Sequence, residues 1–354
     1  MRAPGVQQVA GRTTYRLARP SVSGVLRVRA LVVGLVAAAL ALVTLSVSVS
    51  IGDYPVPLPD VVRALAGSGD PGTLLIVREL RLPRAVVALL VGAGLGMSGA
   101  ILLALTRNPL ASPDILGIAQ GASAAVVAGV VLGFGSSLGT SGIALLGGLA
   151  AAAAIYLLAW RRGTTGYRIV LVGVAIAALC LAVTQYLLVR AQIFEAQRAV
   201  LWLIGSLDGR DWAHATPLAI ALAVLVPTAL ATMRWLTLLG LGDDTARGLG
   251  VPVQTARLLL LLIGVGLAAF ATAAAGPVGF VALLSPHIAR RLAGVAGPPL
   301  LGSALVGSVI VLVSDVTARL LPGGQLPVGV VTAALGAPFL LILLARANRA
   351  GTGG

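Results

Sequence analysis

Residues 78–121 read RELRLPRAVVALLVGAGLGMSGAILLALTRNPLASPDILGIAQG. Three arginines, Arg78, Arg81 and Arg84, flank Pro83, and 22 residues without a charge follow, from Ala85 to Thr106. As helix that run is about 33 Å long, enough to cross a hydrocarbon core of roughly 30 Å. A polar break, Arg107-Asn108-Pro109-Leu110, ends it, and a second apolar run starts after Pro113-Asp114. The stretch is therefore one membrane crossing with a distinct polar cluster at each end.

The rest of the chain repeats this pattern. Of 354 residues, 58% are hydrophobic and 10% charged, and mean hydropathy is +1.03. Soluble domains carry about 25% charged residues, so the fold class is an all-α polytopic membrane protein. All 25 basic residues are arginine. Without lysine there is no Gly-Lys-Ser/Thr phosphate loop and no Schiff base, so any linked ATP hydrolysis belongs to another chain. The single cysteine, Cys180, lies in an apolar run and forms no internal disulfide.

Uncharged runs place about ten helices, at 30–51, 85–106, two within 115–160, 169–189, 213–233, two pieces within 258–289, 292–314 and 320–345. Gly133-Phe134-Gly135-Ser136-Ser137 splits the third run, Gly276-Pro277 splits 258–289, and Pro217 and Pro227 interrupt 213–233. Ala30–Ile51 exceeds the roughly 7–15-residue core of a cleaved signal; it reads as an uncleaved first helix, with cleavage after Ser46–Ser50 the alternative. Residues 1–29 form a basic N-terminal segment, 30–346 the membrane domain and 347–354 a short tail. Ten crossings put both termini on one side. That side collects a balance of +14, the other side 0, as expected when arginine concentrates in cytoplasmic segments. The net charge of +14 is thus a topology signal, not a nucleic-acid-binding one.

Enzyme constellations are missing. His214 and His287 lie far apart, with neither HExxH nor Gly-x-Ser-x-Gly, and Asp315 is read as the only acid near a helix interior, set to pair with Arg319 one turn later. Scarce intramembrane acids count against proton coupling, and together with the missing catalytic motifs against a secondary transporter or membrane-embedded enzyme, while leaving open a sodium site made of backbone carbonyls. The inner loop 234–257 carries Leu241-Gly242-Asp243-Asp244-Thr245-Ala246-Arg247-Gly248-Leu249-Gly250-Val251. Asp243 or Asp244 can cap a short helix there and Gly248 or Gly250 can end it, giving an exposed helical knob on the cytoplasmic face. Gly92-Ala93-Gly94-Leu95 echoes Gly264-Val265-Gly266-Leu267, as an inverted repeat or a chance match in a Gly- and Leu-rich chain.

Four blocks together resemble the FecCD-type permeases of ABC importers, which carry ferric siderophores, haem or vitamin B12 in bacteria. They are Arg81-Leu82-Pro83-Arg84 with Ser98-Gly99 and Arg107-Asn108-Pro109-Leu110-Ala111-Ser112-Pro113; Trp202-Leu203-Ile204-Gly205-Ser206-Leu207 with Trp212; the 241–251 loop; and Gly276-Pro277-Val278-Gly279-Phe280-Val281 with Pro286-His287-Ile288-Ala289-Arg290, Asp315-Val316-Thr317-Ala318-Arg319, Leu326-Pro327-Val328-Gly329-Val330 and Gly336-Ala337-Pro338-Phe339. The resemblance implies a ten-helix subunit of the vitamin B12 importer type (type II ABC importer) in the bacterial cytoplasmic membrane. It would work with a second permease subunit, identical or related, with a separate ATPase subunit that binds ATP and magnesium, and with a substrate-binding protein. The expected cargo is a ferric siderophore, with haem or cobalamin the alternative, and no cofactor or metal is held by this chain itself.

Residue by residue, the resemblance assigns ATPase coupling to Gly242, Asp243, Asp244, Ala246, Arg247, Gly248, Leu249 and Gly250. It assigns binding-protein docking to Arg81, Arg84 and Arg319, which would meet acidic side chains. It assigns a translocation gate to Asn108 and Leu110, with Thr165 in the 164–168 loop as a further member. Three positions depart from the family pattern: Leu103 stands where Gln is common, Gln325 where Glu is common, and Ser285 where an apolar residue is usual.

Overall fold

The computed structural model describes residues 5–9, 12–16, 23–26, 28–52, 54–134, 139–160, 165–295, 297–321 and 326–351. Gly135–Ser137 of the expected helix break, Arg161–Thr164 of the basic loop, Pro322–Gly324 and Gln325 lie outside the described residues, as do 1–4, 10–11, 17–22 and 27 of the N-terminal segment. In that segment strands β1 (Gly5–Val9), β2 (Arg12–Arg16) and β3 (Ser23–Leu26) pair as an antiparallel meander. Every described element after it is a helix.

Helix α1 spans Val28–Ser50. Two short helices, α2 (Leu58–Leu65) and α3 (Pro71–Leu74), lead through a π-helical segment, Leu75–Arg81, into α4 (Leu82–Thr106). The expected start of this crossing at residue 85 therefore moves: Pro83 occupies the first turn of α4, where its missing N–H costs nothing, and Arg81 sits within continuous helix. Then come α5 (Ile118–Val131), α6 (Gly139–Ala159), α7 (Gly166–Arg190), the short α8 (Ile193–Leu203) and α9 (Trp212–Ala231). Pro217 and Pro227 lie inside α9 without ending it. The knob region forms α10 (Met233–Leu239) and α11 (Asp243–Gly248), and the chain closes with α12 (Val253–Ala275), α13 (Val281–Ala293), α14 (Leu300–Leu320) and α15 (Val328–Gly351). The ten expected helices are α1, α4, α5, α6, α7, α9, α12, α13, α14 and α15. Seven described helices are long and apolar enough to cross a membrane.

Helix α4 is the centre. It packs antiparallel to α12 and α14, and α13 crosses it. Glycine makes this possible: a Cβ on Gly92 would stand 2.3 Å from the Gly307 carbonyl oxygen of α14, and one on Gly99 1.8 Å from the Ala282 oxygen of α13. Backbones touch directly at both places, the close approach that small residues permit in membrane bundles. The two Gly-x-Gly-Leu echoes meet at one point, Gly94 against the Leu267 carbonyl.

Two helices are only half-crossings. The 14 residues of α5 and 13 of α13 make about 20 Å each, short of the roughly 30 Å core. The start of α5 lies at mid-depth, since Gly117 packs on Gly173 and Ala177, in the interior of α7, and Ile118 reaches Gly148 in α6. Residues 107–117 thus climb through half the membrane without regular helix, and Ala111, Ser112 and Pro113 are buried. Irregular backbone is tolerated at that depth only where protein covers it. The ninth helix also starts later than expected. Leu292 and Ala293 complete α13, Gly294 ends it in the left-handed region, and the next helix restarts after Pro298-Pro299.

Candidate functional site

The residues expected to act fall at opposite ends of the bundle. Arg81, Arg84 and Arg319 gather at one end; Asn108, Leu110, Thr165 and 242–250 gather at the other, together with Arg29, which donates to the Leu292 and Arg291 carbonyls. The relative sidedness from charge sorting therefore holds.

At the Arg107 end, the knob is a built unit. Gly242, at φ 112°, takes the N-cap position expected of an aspartate, and Asp243 becomes the first helical residue. The C-terminus closes with two hydrogen bonds: Gly250 N–H donates to Arg247 (2.9 Å) and Val251 N–H to Ala246 (3.0 Å), with Gly250 at φ 80°. This is a Schellman closure, with buried Ala246 and Val251 as its apolar pair. The eight expected coupling residues divide by direction. Asp243 and Ala246 face inward. Asp244 is 98% exposed and pairs with Arg247 at 2.8 Å, while Leu241 and Leu249 expose apolar side chains beside that pair.

Asp243 tethers the knob. It accepts from Arg107 Nη2 at 2.6 Å and from Arg257 Nη2 at 2.9 Å on each carboxylate oxygen. Arg107 caps α4 in the left-handed region (φ 54°) and Arg257, 1% exposed, belongs to α12. One carboxylate thus joins α11 to the two helices at the heart of the bundle. Burial alone would raise the Asp243 pKa; the hydrogen bond and charge of Arg257, with the charges of Arg107 and Arg247, outweigh it and hold it below the usual carboxylate range.

The expected gate residues are close to one another. The Asn108 side chain accepts from Leu110 N–H at 3.0 Å, a local turn, and Ala111 N–H closes the next turn onto the Asn108 carbonyl. Thr165 caps α7 by accepting from Arg168 N–H, and the adjacent Gly166 packs on the Thr106 backbone. His287 Nε2–H donates to the Pro109 carbonyl at 2.9 Å, so α13 holds the same loop.

At the Arg84 end, Asp315 is fully buried rather than at a helix margin. It pairs with Arg319 at 2.8 Å, as the spacing suggested, and also with Arg84 at 2.9 Å. Arg84 reaches a second carboxylate, Asp208, at 3.2 Å, and Asp208 is 70% exposed. Arg319 also donates to Ser48 and Ile51, and Arg81 to the Val49, Ser50 and Tyr54 carbonyls. These three arginines therefore stitch α1, α4 and α14 together, and Arg84 is also joined to an exposed acid.

Sequence reasoning missed three acidic or basic participants. Asp114 lies within the climbing loop, and its carboxylate accepts from the Phe280 N–H where α13 begins; the chain thus has a second acid at membrane depth. Phe280 adopts φ 67° and packs on Gly336 of α15. Asp208 and Arg257 were the others. Arg257 sits between polar and apolar sequence, where nothing marks it as buried.

The arrangement is that of a multi-pass membrane permease. The chain belongs to the FecCD transport family, whose model matches residues 38–346. The ferric enterobactin transport system permease protein FepG of Escherichia coli (strain K12) is 43% identical over 291 residues, covering 82% of this chain and 88% of that one. The achromobactin transport system permease protein CbrC of Dickeya dadantii (strain 3937) is 43% identical over 321 residues, 88% of this chain and 91% of CbrC. A solved structure described as an inward-facing metal-chelate type ABC transporter superposes with a TM-score of 0.80 at 28% identity, covering 89% of this chain and 99% of that one.

Proposed function

We propose that this chain is the membrane-spanning subunit of an ATP-driven importer that brings a ferric siderophore across the bacterial cytoplasmic membrane. The Arg107 end and both termini face the cytoplasm. A separate ATPase subunit seats on the exposed side of α11, a binding protein delivers cargo at the Arg84 end, and a second permease subunit, identical or related, completes the path. The observation that carries the reading is the Asp243 tether. A knob whose outer face is free and whose inner face is ion-paired to α4 and α12 can pass a push from a partner directly into the bundle. Asn108, Leu110 and Thr165 lie where that push would open or close the cytoplasmic mouth, and His287 holds the same loop through Pro109.

Docking divides among the three arginines. Arg81 and Arg319 fix the geometry of the end, while Arg84 and Asp208 present the charged edge that a binding protein meets. The cargo assignment is supported by the siderophore systems to which FepG and CbrC belong. It is tested by uptake of labelled ferric siderophores, haem and cobalamin in a strain lacking this chain, with and without its restoration. Restored uptake of a ferric siderophore alone is expected; restoration of only haem or cobalamin would overturn the cargo assignment.

A further inference from the structure

A cavity of about 380 Å³ opens at the Arg107 end between α4, α10 and the C-terminal part of α13. Its walls are mostly apolar, among them Leu103, Pro109, Leu236 and Leu241, and two arginines, Arg107 and Arg290, also line it. Arg107 is engaged by Asp243, which it shares with Arg257. Arg290 makes no ion pair or side-chain hydrogen bond among the described residues, and its Nε is buried without a partner. Of the two arginines lining the cavity, Arg107 thus has a carboxylate partner in Asp243, and Arg290 has none among the described residues. Arg290 is half-buried with its Nε shut away from water, and an anion is the group that complements it there. Arg290 ends the Pro286-His287-Ile288-Ala289-Arg290 block, to which the family reading gave no role.

The cavity is continuous with the knob. Leu241 lines it, is 63% exposed and lies two residues before Asp243, and Arg107 both lines it and holds α11. A protein seated on Asp244 and Arg247 would cover the opening. We infer that this cavity is a socket for a carboxylate side chain of the ATPase subunit, received by Arg290, so that the subunit grips the permease beside α11 as well as on it. The inference rests on the proposed coupling role of α11. It names a second, charge-specific contact of the same partner.

The test uses the full permease in lipid nanodiscs and the ATPase subunit that restores uptake with it. Arg290→Gln is expected to weaken ATPase association at least tenfold and to flatten its salt dependence, because the lost contact is a charge pair. Arg290→Lys should retain most of the affinity, which separates loss of charge from misfolding; matched thermal unfolding of both variants checks the same point. Changing acidic surface residues of the ATPase one at a time to amides should reveal one whose loss equals that of Arg290→Gln and adds nothing to it. Unchanged affinity in Arg290→Gln overturns the inference, as does an ATPase surface on which every acid adds independently. A loss seen only in nanodiscs containing phosphatidylglycerol, and absent in phosphatidylcholine alone, also overturns it, because the anion would then be a lipid headgroup. If the unaltered chain binds no ATPase at all, or if changing Asp244 and Arg247 leaves binding intact, the coupling reading of α11 fails instead.

Discussion

Replacing Asp243 with asparagine removes the single carboxylate that holds α11 against α4 and α12. Arg257 is 1% exposed and loses the group on which two of its hydrogen bonds converge. Breaking a buried pair costs about 3–5 kcal/mol. Asp243 keeps 23% exposure and Arg257 holds another interaction, so about 2–3 kcal/mol is the better figure here. The Arg107 pair, 46% exposed on the arginine side, adds less than about 1 kcal/mol. At about 1.4 kcal/mol per decade, the knob should open about 30- to 150-fold more often. Hydrogen exchange reads this directly at the Ala246 and Val251 amides, whose bonds to Gly242 and Ala246 define the helix and its closure. Adding Arg257→Met should recover most of the protection, since an apolar side chain of similar size suits the buried site. Adding Arg107→Gln should recover little. A fall in protection under threefold, or a double variant no better than Asp243→Asn alone, would refute the tether.

Four further outcomes follow from the same geometry. Gly99→Ala places a methyl 1.8 Å from a backbone oxygen of α13; overpacking of about 1–3 kcal/mol or more should lower the thermal unfolding temperature in detergent. Gly34→Ala in α1, with nothing within 4 Å, should be neutral. Asp315→Asn leaves Arg84 and Arg319, 13% and 7% exposed, facing each other; a loss of about 3 kcal/mol is expected by the same assay, partly relieved by Arg84→Gln. Because the folded Asp243 pKa lies below its ordinary 3.8, its stabilisation is fully present above that value and is lost only as pH falls through the folded pKa. Knob protection, corrected for intrinsic exchange, should therefore be flat from pH 7 to about 4; a fall near pH 5 would show that the carboxylate is not held in this way.

Long apolar runs and arginine asymmetry made the crossings and their relative sidedness legible, because hydropathy and charge act over whole segments. Local chemistry made the knob legible: aspartates suited to start a short helix and glycines suited to end it bracket 243–250, although the cap itself is Gly242 rather than an aspartate. What the sequence hid depends on tertiary contact. The stretch 107–117 reads in sequence as a polar break between two crossings, and only the packing of Gly117 on α7 reveals its climb and where α5 starts. Asp315 read as a marginal i, i+4 pair because Arg84 lies 231 residues away. The arginines expected to face a binding protein turned out to be tied mostly to this chain's own carbonyls and carboxylates. Spacing within one helix could not foretell that.

The central claim, an importer driven by ATP on another subunit, is tested most directly in sealed proteoliposomes. The chain would be reconstituted with its ATPase and second permease subunit, and uptake of a labelled ferric siderophore followed after adding the binding protein. Uptake should require ATP, the ATPase and the binding protein together, and should collapse in Asp243→Asn while the subunits remain assembled. Uptake that proceeds without the ATPase, or that follows an imposed ion gradient, would contradict the account.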